Sequence, residues 1–587
     1  VAGFPKRRAL ANVAGGLKTS ASHGVAPLST QSGLTNQFSD LDRDSKNSQG
    51  GVLVTTPIFY LNGPPHIGHM FTAALTDALA RWLRLKGKRV VFSTGTDEHG
   101  DKVAKAAEKA GDTNVAEYCD GMSARFKTLV EQINCSHDVF IRTTDQAHID
   151  NVQRLWRRLE ASGSIEKGKH SGWYCQSDEE FLTTEQVTKR DDGTMVSTES
   201  GHLVEWVDET NYMFKLPKCS DSIKEWVSHG LEPAERRNEV LAFLDAGPLR
   251  DLSISRPHER VKWAIQVPTD QEQVVYVWLD ALTNYLTAAG VHIDADPTVP
   301  VSWQSAGIDS VIHVIGKDII RFHSIYWPGF LVAAGIELPT KVVAHAHWTV
   351  ERTKMSKSLG NVVDPFDLLQ RYESDAIRYF LLRSSGLVND ADFSETTLDS
   401  RRTEAGNNFG NLLSRALAKG ISPKGRWPTQ EEVVADLDVH PFAAQHLVGL
   451  ASVVDESFSN LEFAKGLEAI MKALTGANKY FSDEEPWMVN KRLRTQGEKM
   501  NEEERANLES QVATTMFWVL ETLRICSILL QPVMPSASQR SLDALGISPD
   551  ERTFQHASAV QLPPSYGTRL FQAGSSKSLV LFPRLDK

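Results

Sequence analysis

Two short motifs, far apart in the chain, combine residue types that could bind and stabilise a triphosphate. The first is Pro64-Pro65-His66-Ile67-Gly68-His69, and the second is Lys354-Met355-Ser356-Lys357-Ser358. Imidazole N–H groups and ammonium groups stabilise phosphate oxygens most strongly where negative charge grows in a transition state. Taken separately, the first motif could be a helix cap with two solvated histidines or a chance metal site, and the second a solvated surface turn. Together they predict one ATP site, with the catalytic residues His66, His69, Lys354 and Lys357.

The first motif lies on a predicted strand-to-helix turn. Residues 52–60 are apolar and β-branched like a buried strand, and leucines recur at helical spacing over residues 70–86. A helix N-terminus offers unpaired N–H groups and a positive dipole end to a phosphate. Gly68 leaves room for the adenine ring or the ribose near the backbone. The second motif follows an apolar strand at residues 341–346, and its Ser and Gly residues predict a mobile loop that closes over pyrophosphate.

The residues between the two motifs resemble the sequence blocks of the methionyl-tRNA synthetases, a family of class I aminoacyl-tRNA synthetases. The blocks are Thr56-Pro57-Ile58-Phe59-Tyr60, Gly95-Thr96-Asp97-Glu98-His99-Gly100, Tyr276-Val277-Trp278-Leu279-Asp280-Ala281, Gly316-Lys317-Asp318, Phe322-His323-Ser324 and His345-Ala346-His347-Trp348-Thr349. They stand in the family's order, and the resemblance extends from residue 52 to the region of residue 547. It implies ATP-dependent ligation of L-methionine to tRNA(Met) through a methionyl-adenylate, with release of pyrophosphate and AMP.

The resemblance also implies which residues bind the substrates. Asp97 matches the position that holds the methionine ammonium group, and the matching pocket positions are Ile58, Tyr60, Trp278, Ala281, Leu282, Tyr285, Phe322 and His323. Without the family match, Trp278 and Phe322 would be interpreted as ordinary core. Gly316 and Asp318 match the ribose contact. The implied ATP-binding residues are therefore His66, Gly68, His69, Gly316, Asp318, Lys354 and Lys357.

This chemistry needs no protein nucleophile. The methionine carboxylate attacks the α-phosphorus of ATP, and the 3′-terminal ribose hydroxyl of tRNA then attacks the acyl-adenylate. Rate would come from positioning and charge stabilisation, with Mg²⁺ carried in by ATP. A nucleotidylyltransferase shares the first motif but would not need the pocket around Trp278. A catalytically dead tRNA-binding paralogue would be expected to lose His66, Asp97 or Lys357, and all three are present.

Composition and charge fit a large multidomain enzyme. The chain has 587 residues, of which 41% are hydrophobic, and no apolar run approaches the roughly 20 residues of a membrane span. The net charge of −11 is unfavourable for binding RNA, but residues 401–426 contain six basic residues and one acidic residue. The basic residues are Arg401, Arg402, Arg415, Lys419, Lys424 and Arg426. This segment could contact a phosphate backbone or form a solvated helix face.

The five cysteines are widely separated and form no Cys-x-x-Cys pair. We therefore expect no structural zinc, although many family members carry one in the insertion between the two catalytic half-domains. Free thiols fit a reducing compartment. A second departure from the family lies in Trp263-Ala264-Ile265-Gln266-Val267-Pro268, where Ala264 and Gln266 replace the usual glycine and proline.

The predicted fold is α/β, with a Rossmann-type parallel-sheet catalytic domain, an inserted connective domain and an all-α C-terminal bundle. The predicted segments are a disordered tail (1–50), the first catalytic half (51–159), the connective insertion (160–255), the second catalytic half (256–345), the Lys-Met-Ser-Lys-Ser loop with a stem-contact region (346–400), and the helical anticodon-binding domain (401–587).

Within the helical domain, Asn411, Arg415 and Trp487 match the family's anticodon-binding positions. An aromatic ring that stacks on a splayed base, with amide and guanidinium groups on base edges, is a usual way to read single-stranded RNA. A Trp in a helical bundle is more often core, yet Pro486 indicates a helix end near the surface.

The N-terminal tail differs in composition from the rest of the chain. Residues 1–38 contain four basic residues, no Asp or Glu, and many Ser, Ala and Gly. This composition resembles a mitochondrial transit peptide, and a plain disordered tail is the alternative. We therefore expect a mitochondrial matrix location, with the cytoplasm as the alternative. We also expect a monomer that has no membrane partner.

Overall fold

The computed structural model describes residues 50–583, except 177–179, 183, 199, 356–359, 423, 434–439, 559–569 and 571–578. The side chains of residues 170, 180, 354 and 558 are also outside the description. The predicted targeting tail lies outside the described residues, and so does Lys357. All the described residues belong to one compact unit, Asn47–Lys587.

The first catalytic segment alternates strands and helices. Its elements are β1 (Gly51–Thr55), β2 (Phe59–Tyr60), α1 (Ile67–Leu85), β3 (Val90–Asp97), α2 (Asp101–Ala110), α3 (Val115–Gln132), β4 (Val139–Arg142) and α4 (Gln146–Ala161). The single strand predicted over residues 52–60 is divided into β1 and β2, because Pro57 has no N–H to donate to a ladder. β1 pairs with residues 90–93 of β3 and β2 with residues 96–97, so the two short strands follow one another along β3.

The insertion is built on a four-stranded antiparallel sheet, in which the long strands at 165–175 and 205–214 pair with each other and short strands at 180–182 and 252–253 form the two edges. Its elements are β5 (Ile165–Cys175), β6 (Glu180–Leu182), β7 (Val187–Lys189), β8 (Met195–Ser197), β9 (Glu205–Phe214), α5 (Ser220–Gly230), β10 (Leu231–Glu232), α6 (Ala234–Asp245) and β11 (Leu252–Ser253). β10 pairs with β16 (Lys341–His345) of the parallel sheet, so the chain returns to that sheet within the predicted insertion. Among the described residues, no three His, Cys, Asp or Glu side chains are grouped to hold a metal ion, and the absence of zinc stays a prediction.

The second catalytic segment forms a small antiparallel sheet from its first three strands and then supplies its last two strands to the parallel sheet. Its elements are β12 (Ser255–Pro257), β13 (Gln266–Val267), β14 (Asp270–Val275), α7 (Val277–Ala288), β15 (Ile308–Gly316), α8 (Trp327–Ala333) and β16. The parallel order is β10-β16-β15-β1-β3, and β3 also pairs with β2 and β4. The order reverses between β1 and β15, and ligands bind at such a switch point, in the crevice outside the carboxyl ends of the strands. The predicted α/β architecture is confirmed.

The remainder of the chain is mostly helical, as predicted. Its elements are β17 (Trp348–Val350), β18 (Thr353–Lys354), α9 (Pro365–Arg371), α10 (Ser374–Ser384), β19 (Ala391–Phe393), α11 (Glu395–Ala405), α12 (Asn411–Ala416), α13 (Pro441–His446), α14 (Leu450–Ser459), α15 (Phe463–Asp483), α16 (Pro486–Gln496), α17 (Glu502–Leu530), α18 (Pro535–Ala544) and α19 (Phe554–Ser558). By length and composition alone α17 could cross a membrane, but 89% of its apolar window is buried inside the fold, as in the core helix of a bundle.

Helix α1 is fixed to the C-terminal helices by a buried ion pair. Asp77 and Arg378 of α10 are both fully buried, and their side chains lie 2.6 Å apart. The same guanidinium donates to the carbonyl oxygens of Pro532 and Val533, after the end of α17. Burial would raise the pKa of Asp77, but Arg378 and Arg81 lower it. The helix that carries the first motif at its N-terminus is therefore anchored by charge as well as by packing.

Candidate active site

The two histidines of the first motif form a reciprocal cap at the N-terminus of α1. Nδ1 of His66 accepts a hydrogen bond from the backbone N–H of Gly68 at 3.1 Å, and the backbone N–H of His66 donates to Nδ1 of His69 at 3.2 Å. The two rings stack with their centroids 3.8 Å apart. The cap lies beyond the carboxyl end of β1, where the sequence placed it.

This cap fixes the tautomer of both imidazoles. Because each Nδ1 accepts from a backbone N–H, the proton of each neutral ring must be at Nε2. Nε2–H is the donor that a phosphate oxygen requires. Gly68 is also required for this arrangement of the rings. A side chain at this position would place its Cβ 2.8 Å from Cε1 of His66 and would displace the imidazole ring.

The second motif follows a tight hairpin. Strands β17 and β18 are joined by Glu351 and Arg352, whose φ angles are 52° and 58°, as in a type I′ turn. The carboxylate of Asp392 accepts from the Arg352 backbone N–H at 2.8 Å and holds the turn to β19. Lys354 is the last residue of β18, and its side chain is outside the described residues, as is the whole of Lys357.

Gly316 and Asp318, the predicted ribose-binding residues, lie at the carboxyl end of β15, where Gly316 is the last residue of the strand and Asp318 comes two residues later. Asp318 Oδ1 lies 3.0 Å from Nε2 of His347. A Cβ at position 316 would lie 2.5 Å from the same Asp318 oxygen, so the close approach of this carboxylate to the strand end requires glycine. The neighbouring Lys317 pairs with Asp390 at 2.6 Å.

A buried histidine connects the cap of α1 to the strand end at β16. Nε2 of His345 lies 2.9 Å from the Thr72 hydroxyl, which is also 3.1 Å from the carbonyl oxygen of Gly68. Nδ1 of the same ring donates to the carbonyl oxygen of Ala346. Burial lowers the pKa of His345 to about 4, so the ring is neutral at physiological pH. His345 stands in one of the blocks that resemble the family, but no role was predicted for it.

The predicted methionine pocket has one wall on α7. Trp278, Ala281, Leu282 and Tyr285 are spaced three and four residues apart and therefore share a helix face. The Trp278 ring stacks on Phe322, with the centroids 3.6 Å apart and the planes within 7°. Both rings are half-buried, whereas Ala281, Leu282 and Tyr285 are buried. The structure therefore brings these five predicted pocket residues together.

A hydrogen-bonded pair closes the inner end of this wall. The Tyr285 hydroxyl lies 2.6 Å from Nε2 of His323, whose Nδ1 donates to the carbonyl oxygen of Ile319 at 3.0 Å. Nε2 must then accept the tyrosine proton. Burial lowers the pKa of His323 to about 4 and raises the pKa of Tyr285, so both groups stay neutral. Neither donor proton of this pair remains for a ligand.

Asp97, the predicted ammonium-binding residue, is the last residue of β3. It is 8% exposed and lies in register opposite Tyr60 of β2, while Ile58 is half-buried in the break between β1 and β2. The loop after Asp97 is held by Trp263, whose Nε1 donates to the carbonyl oxygen of Glu98 at 2.6 Å. The backbone carbonyl oxygen of Trp263 also accepts from the Gly100 backbone N–H at 2.8 Å. The segment at residues 263–268 therefore contacts this loop, although Ala264 and Gln266 replace the family's usual glycine and proline.

Sequence reasoning missed a charged cluster behind the pocket. The carboxylate of Asp280 on α7 lies 2.8 Å from Nδ1 of His99 and 2.8 Å from Nε2 of His148 on α4. All three side chains are buried. His99 and Asp280 stand inside two quoted family blocks, so a signal existed for them. Nothing in the sequence pointed to His148, because it meets Asp280 only through the tertiary fold.

The three predicted anticodon-binding residues lie near one another. Asn411 and Arg415 are four residues apart on α12, and the Arg415 guanidinium lies 5.5 Å from the ring centroid of Trp487. Trp487 is the second residue of α16, as the preceding proline indicated, and it is half-buried.

Most of the basic segment at residues 401–426 is neutralised by glutamates. Arg402 forms a bidentate pair with Glu373, and Arg426 forms one with Glu432. Arg401 pairs with Glu404, and Lys424 also pairs with Glu432. The net positive charge that this segment offers to a phosphate backbone is therefore smaller than the sequence count of six suggests.

Comparison with known proteins gives consistent results. A family model described as "tRNA synthetases class I (M)" matches residues 52–417. A Dictyostelium discoideum protein described as "Probable methionine--tRNA ligase, mitochondrial" is 42% identical over 86% of this chain and 87% of its own length. The Xenopus laevis "Methionine--tRNA ligase, mitochondrial" is 39% identical over 96% of this chain and 97% of its own. The structure of Mycobacterium tuberculosis methionyl-tRNA synthetase in complex with methionyl-adenylate matches with a TM-score of 0.81 at 38% identity, covering 91% of this chain and 100% of that one.

Proposed function

The chain belongs to the methionyl-tRNA synthetase family of class I aminoacyl-tRNA synthetases, and from this membership we propose how its own residues carry out the reaction. The protein ligates L-methionine to tRNA(Met) at the expense of ATP, through a methionyl-adenylate. The observation that carries the residue assignments is the position of the histidine cap and of Phe322, which stacks on Trp278, beyond the carboxyl ends of the adjacent parallel strands β1 and β15.

In adenylation, His66 and His69 donate from Nε2 to the ATP phosphate oxygens. Their Nδ1 atoms are held by the α1 cap, so no rotamer search or tautomer change is required when ATP binds. Gly316 and Asp318 receive the ribose, and Gly68 keeps the backbone close to the nucleotide. Lys354 and Lys357 neutralise the pyrophosphate leaving group. Catalysis is therefore positioning plus charge stabilisation, without a covalent enzyme intermediate.

ATP enters as its magnesium complex. Mg²⁺ retains several waters and is usually bound through substrate phosphates, so it arrives as part of the substrate. The protein groups assigned to the triphosphate are cationic or N–H donors, which complement the phosphate oxygens that the metal leaves uncovered.

Methionine binds between Asp97 and the α7 wall. The buried carboxylate of Asp97 holds the ammonium group, and the thioether lies against Trp278, Phe322, Ile58 and Tyr60. Ala281, Leu282 and the neutral pair of Tyr285 and His323 form the inner end of the pocket. A polarizable sulfur gains from contact with aromatic rings without needing a donor.

Norleucine is expected to be activated, because this pocket recognises shape more than sulfur. The Tyr285 and His323 protons are already donated, to His323 and to Ile319, so neither is available to the thioether. Replacing sulfur by a methylene should reduce kcat/KM by about 10- to 200-fold, corresponding to about 1–3 kcal/mol. ATP–pyrophosphate exchange with norleucine measures this ratio. A loss of 10⁴-fold or more would indicate a sulfur-specific contact and would contradict the assignment.

In the second step the tRNA is recognised far from the adenylate. Asn411, Arg415 and Trp487 read the anticodon, with Arg415 already placed over the Trp487 ring. Both side chains are half-buried, so part of each stays accessible. Such an arginine and aromatic pair suits a splayed base, which can stack on the ring and donate or accept at its edge.

Trp487→Ala is expected to raise the KM for tRNA(Met) by about 5- to 150-fold, because stacking on one base contributes about 1–3 kcal/mol. Adenylation without tRNA should be unchanged, since Trp487 lies in the helical domain. Trp206→Ala is the matched control, because Trp206 of the insertion is 58% exposed and no anticodon role is assigned to it. Aminoacylation at varied tRNA concentration measures the effect. An equal rise in the KM for tRNA(Met) in both variants would contradict the anticodon-binding role of Trp487.

The protein acts in the mitochondrial matrix as a monomer, with no membrane partner. Relatives named as mitochondrial support this location, and so does the acid-free basic composition of residues 1–38. Import of the full chain into isolated mitochondria, followed by separation of the matrix from the membranes, tests the location. Sedimentation with and without tRNA tests the oligomeric state.

ATP–pyrophosphate exchange with each of the twenty amino acids, without tRNA, tests the function as a whole. Exchange with methionine far above the other nineteen is expected. Exchange led by another amino acid would overturn the pocket assignment, and a folded protein that is silent with all twenty would overturn the enzymatic function.

A further inference from the structure

The cluster of Asp280, His99 and His148 joins the two sides of the methionine pocket. Asp280 is 1% exposed and lies in the first turn of α7, two residues after Trp278 and one before Ala281. Its Oδ2 accepts from Nδ1 of His99, which is two residues after Asp97. The hydrogen bond therefore connects α7, which carries the Trp278 wall, to the loop that follows Asp97.

The other carboxylate oxygen holds the cluster to a third element. Oδ1 of Asp280 accepts from Nε2 of His148 on α4 at 2.8 Å, and Nδ1 of that ring lies 3.1 Å from the Thr287 hydroxyl on the last turn of α7. Burial would raise the pKa of Asp280, but the adjacent His99 and His148 lower it. The carboxylate therefore stays ionised and accepts from both rings.

We propose that Asp280 is a positioning residue for methionine, which sets the separation between Asp97 and the Trp278 wall through its bond to His99. The inference rests on the proposed roles of Asp97 and Trp278. A carboxylate with two imidazole donors is a directional link, whereas apolar packing would permit α7 to slide along the loop. Buried ionic groups contribute little net stability compared with apolar residues of the same shape, so the main effect of the link is on geometry.

Asp280→Asn tests the proposal. Asparagine keeps the size of the side chain but offers one neutral acceptor oxygen for two imidazole donors, so both rings lose the charged acceptor and one loses its acceptor altogether. Hydrogen bonds to charged groups are strong enough that the KM for methionine should rise about 10- to 100-fold. The KM for ATP should stay within about twofold, because His66, His69, Gly316 and Asp318 lie on other elements. Both constants are measured by ATP–pyrophosphate exchange, and methionine binding without ATP is measured by calorimetry.

Asp375→Asn is the matched control for loss of a buried carboxylate. Asp375 on α10 is 3% exposed and accepts from the Ala537 backbone N–H at 2.6 Å, outside the methionine pocket. Asp375→Asn should lower the melting temperature and leave the KM for methionine unchanged.

Thr287→Val is a milder variant of the cluster itself, which removes the hydroxyl that orients His148. It should raise the KM for methionine by about two- to tenfold, the effect of one neutral hydrogen bond, if Asp280→Asn proves too unstable to assay.

The outcomes separate this inference from the proposed function. If the unmodified protein exchanges with methionine but Asp280→Asn and Thr287→Val leave the KM for methionine unchanged, the positioning role is wrong and the function stands. If the KM for methionine and the KM for ATP rise together in Asp280→Asn, Asp280 acts on the whole fold and the positioning role is again wrong. If the unmodified protein does not prefer methionine, the proposed function itself fails.

Discussion

Asp97→Asn is expected to lower kcat/KM for methionine in ATP–pyrophosphate exchange by about a hundredfold or more. The carboxylate is 8% exposed at the end of β3, so the methionine ammonium group that meets it leaves water as it binds. Removing one partner of a buried, hydrogen-bonded charge pair costs about 2–5 kcal/mol, much of it from the charge left unpaired. Asparagine keeps the shape of the side chain, removes the charge and replaces one acceptor oxygen by an NH2 donor.

The matched control for Asp97→Asn is the same substitution at Asp309, which is exposed at the start of β15. Asp309→Asn should leave all kinetic constants unchanged. For Asp97→Asn, the KM for ATP should change little, because the nucleotide is assigned to the cap of α1 and to the end of β15. A similar loss of affinity for ATP and methionine would instead indicate that β3 and its loop had moved, and would remove the ammonium-binding role.

The sequence predicted the parts of the site that lie close together along the chain. The motif at His66 and His69 marked a strand-to-helix turn, and the 3.6-residue period placed α7 residues such as Trp278 and Tyr285 on one face. These features are local, because chain geometry alone brings such residues together. The break at Pro57 was present in the sequence as well, although a single strand was predicted there.

Contacts between distant segments could not be predicted in the same way. His148 and Asp280 are 132 residues apart, and their bond depends on the packing of α4 against α7. The basic segment at residues 401–426 shows the same limit. Charges were counted along the chain, but Glu373, which neutralises Arg402, lies 29 residues earlier. Spatial pairing, and therefore the potential at a surface, follows from the fold and not from the local composition.

His66→Asn is expected to separate the structural role of this residue from its chemical role. Asparagine is among the favoured N-cap residues, and its Oδ1 can accept from the Gly68 backbone N–H as Nδ1 does now. The melting temperature should therefore stay close to that of the unmodified protein. The shorter side chain cannot place a donor where Nε2–H of His66 lies.

Loss of that single donor is expected to slow methionyl-adenylate formation by about 10²- to 10³-fold, the effect of removing one preorganised donor from a transition state. Methionine affinity, measured by calorimetry without ATP, should be unchanged. Gly68→Ala provides a second test, because its Cβ would lie 2.8 Å from Cε1 of His66 and would displace a ring that still carries both nitrogens. We expect it also to slow single-turnover adenylation. Normal rates in both variants would show that the reaction does not depend on the position of Nε2, and the cap would then be a structural feature alone.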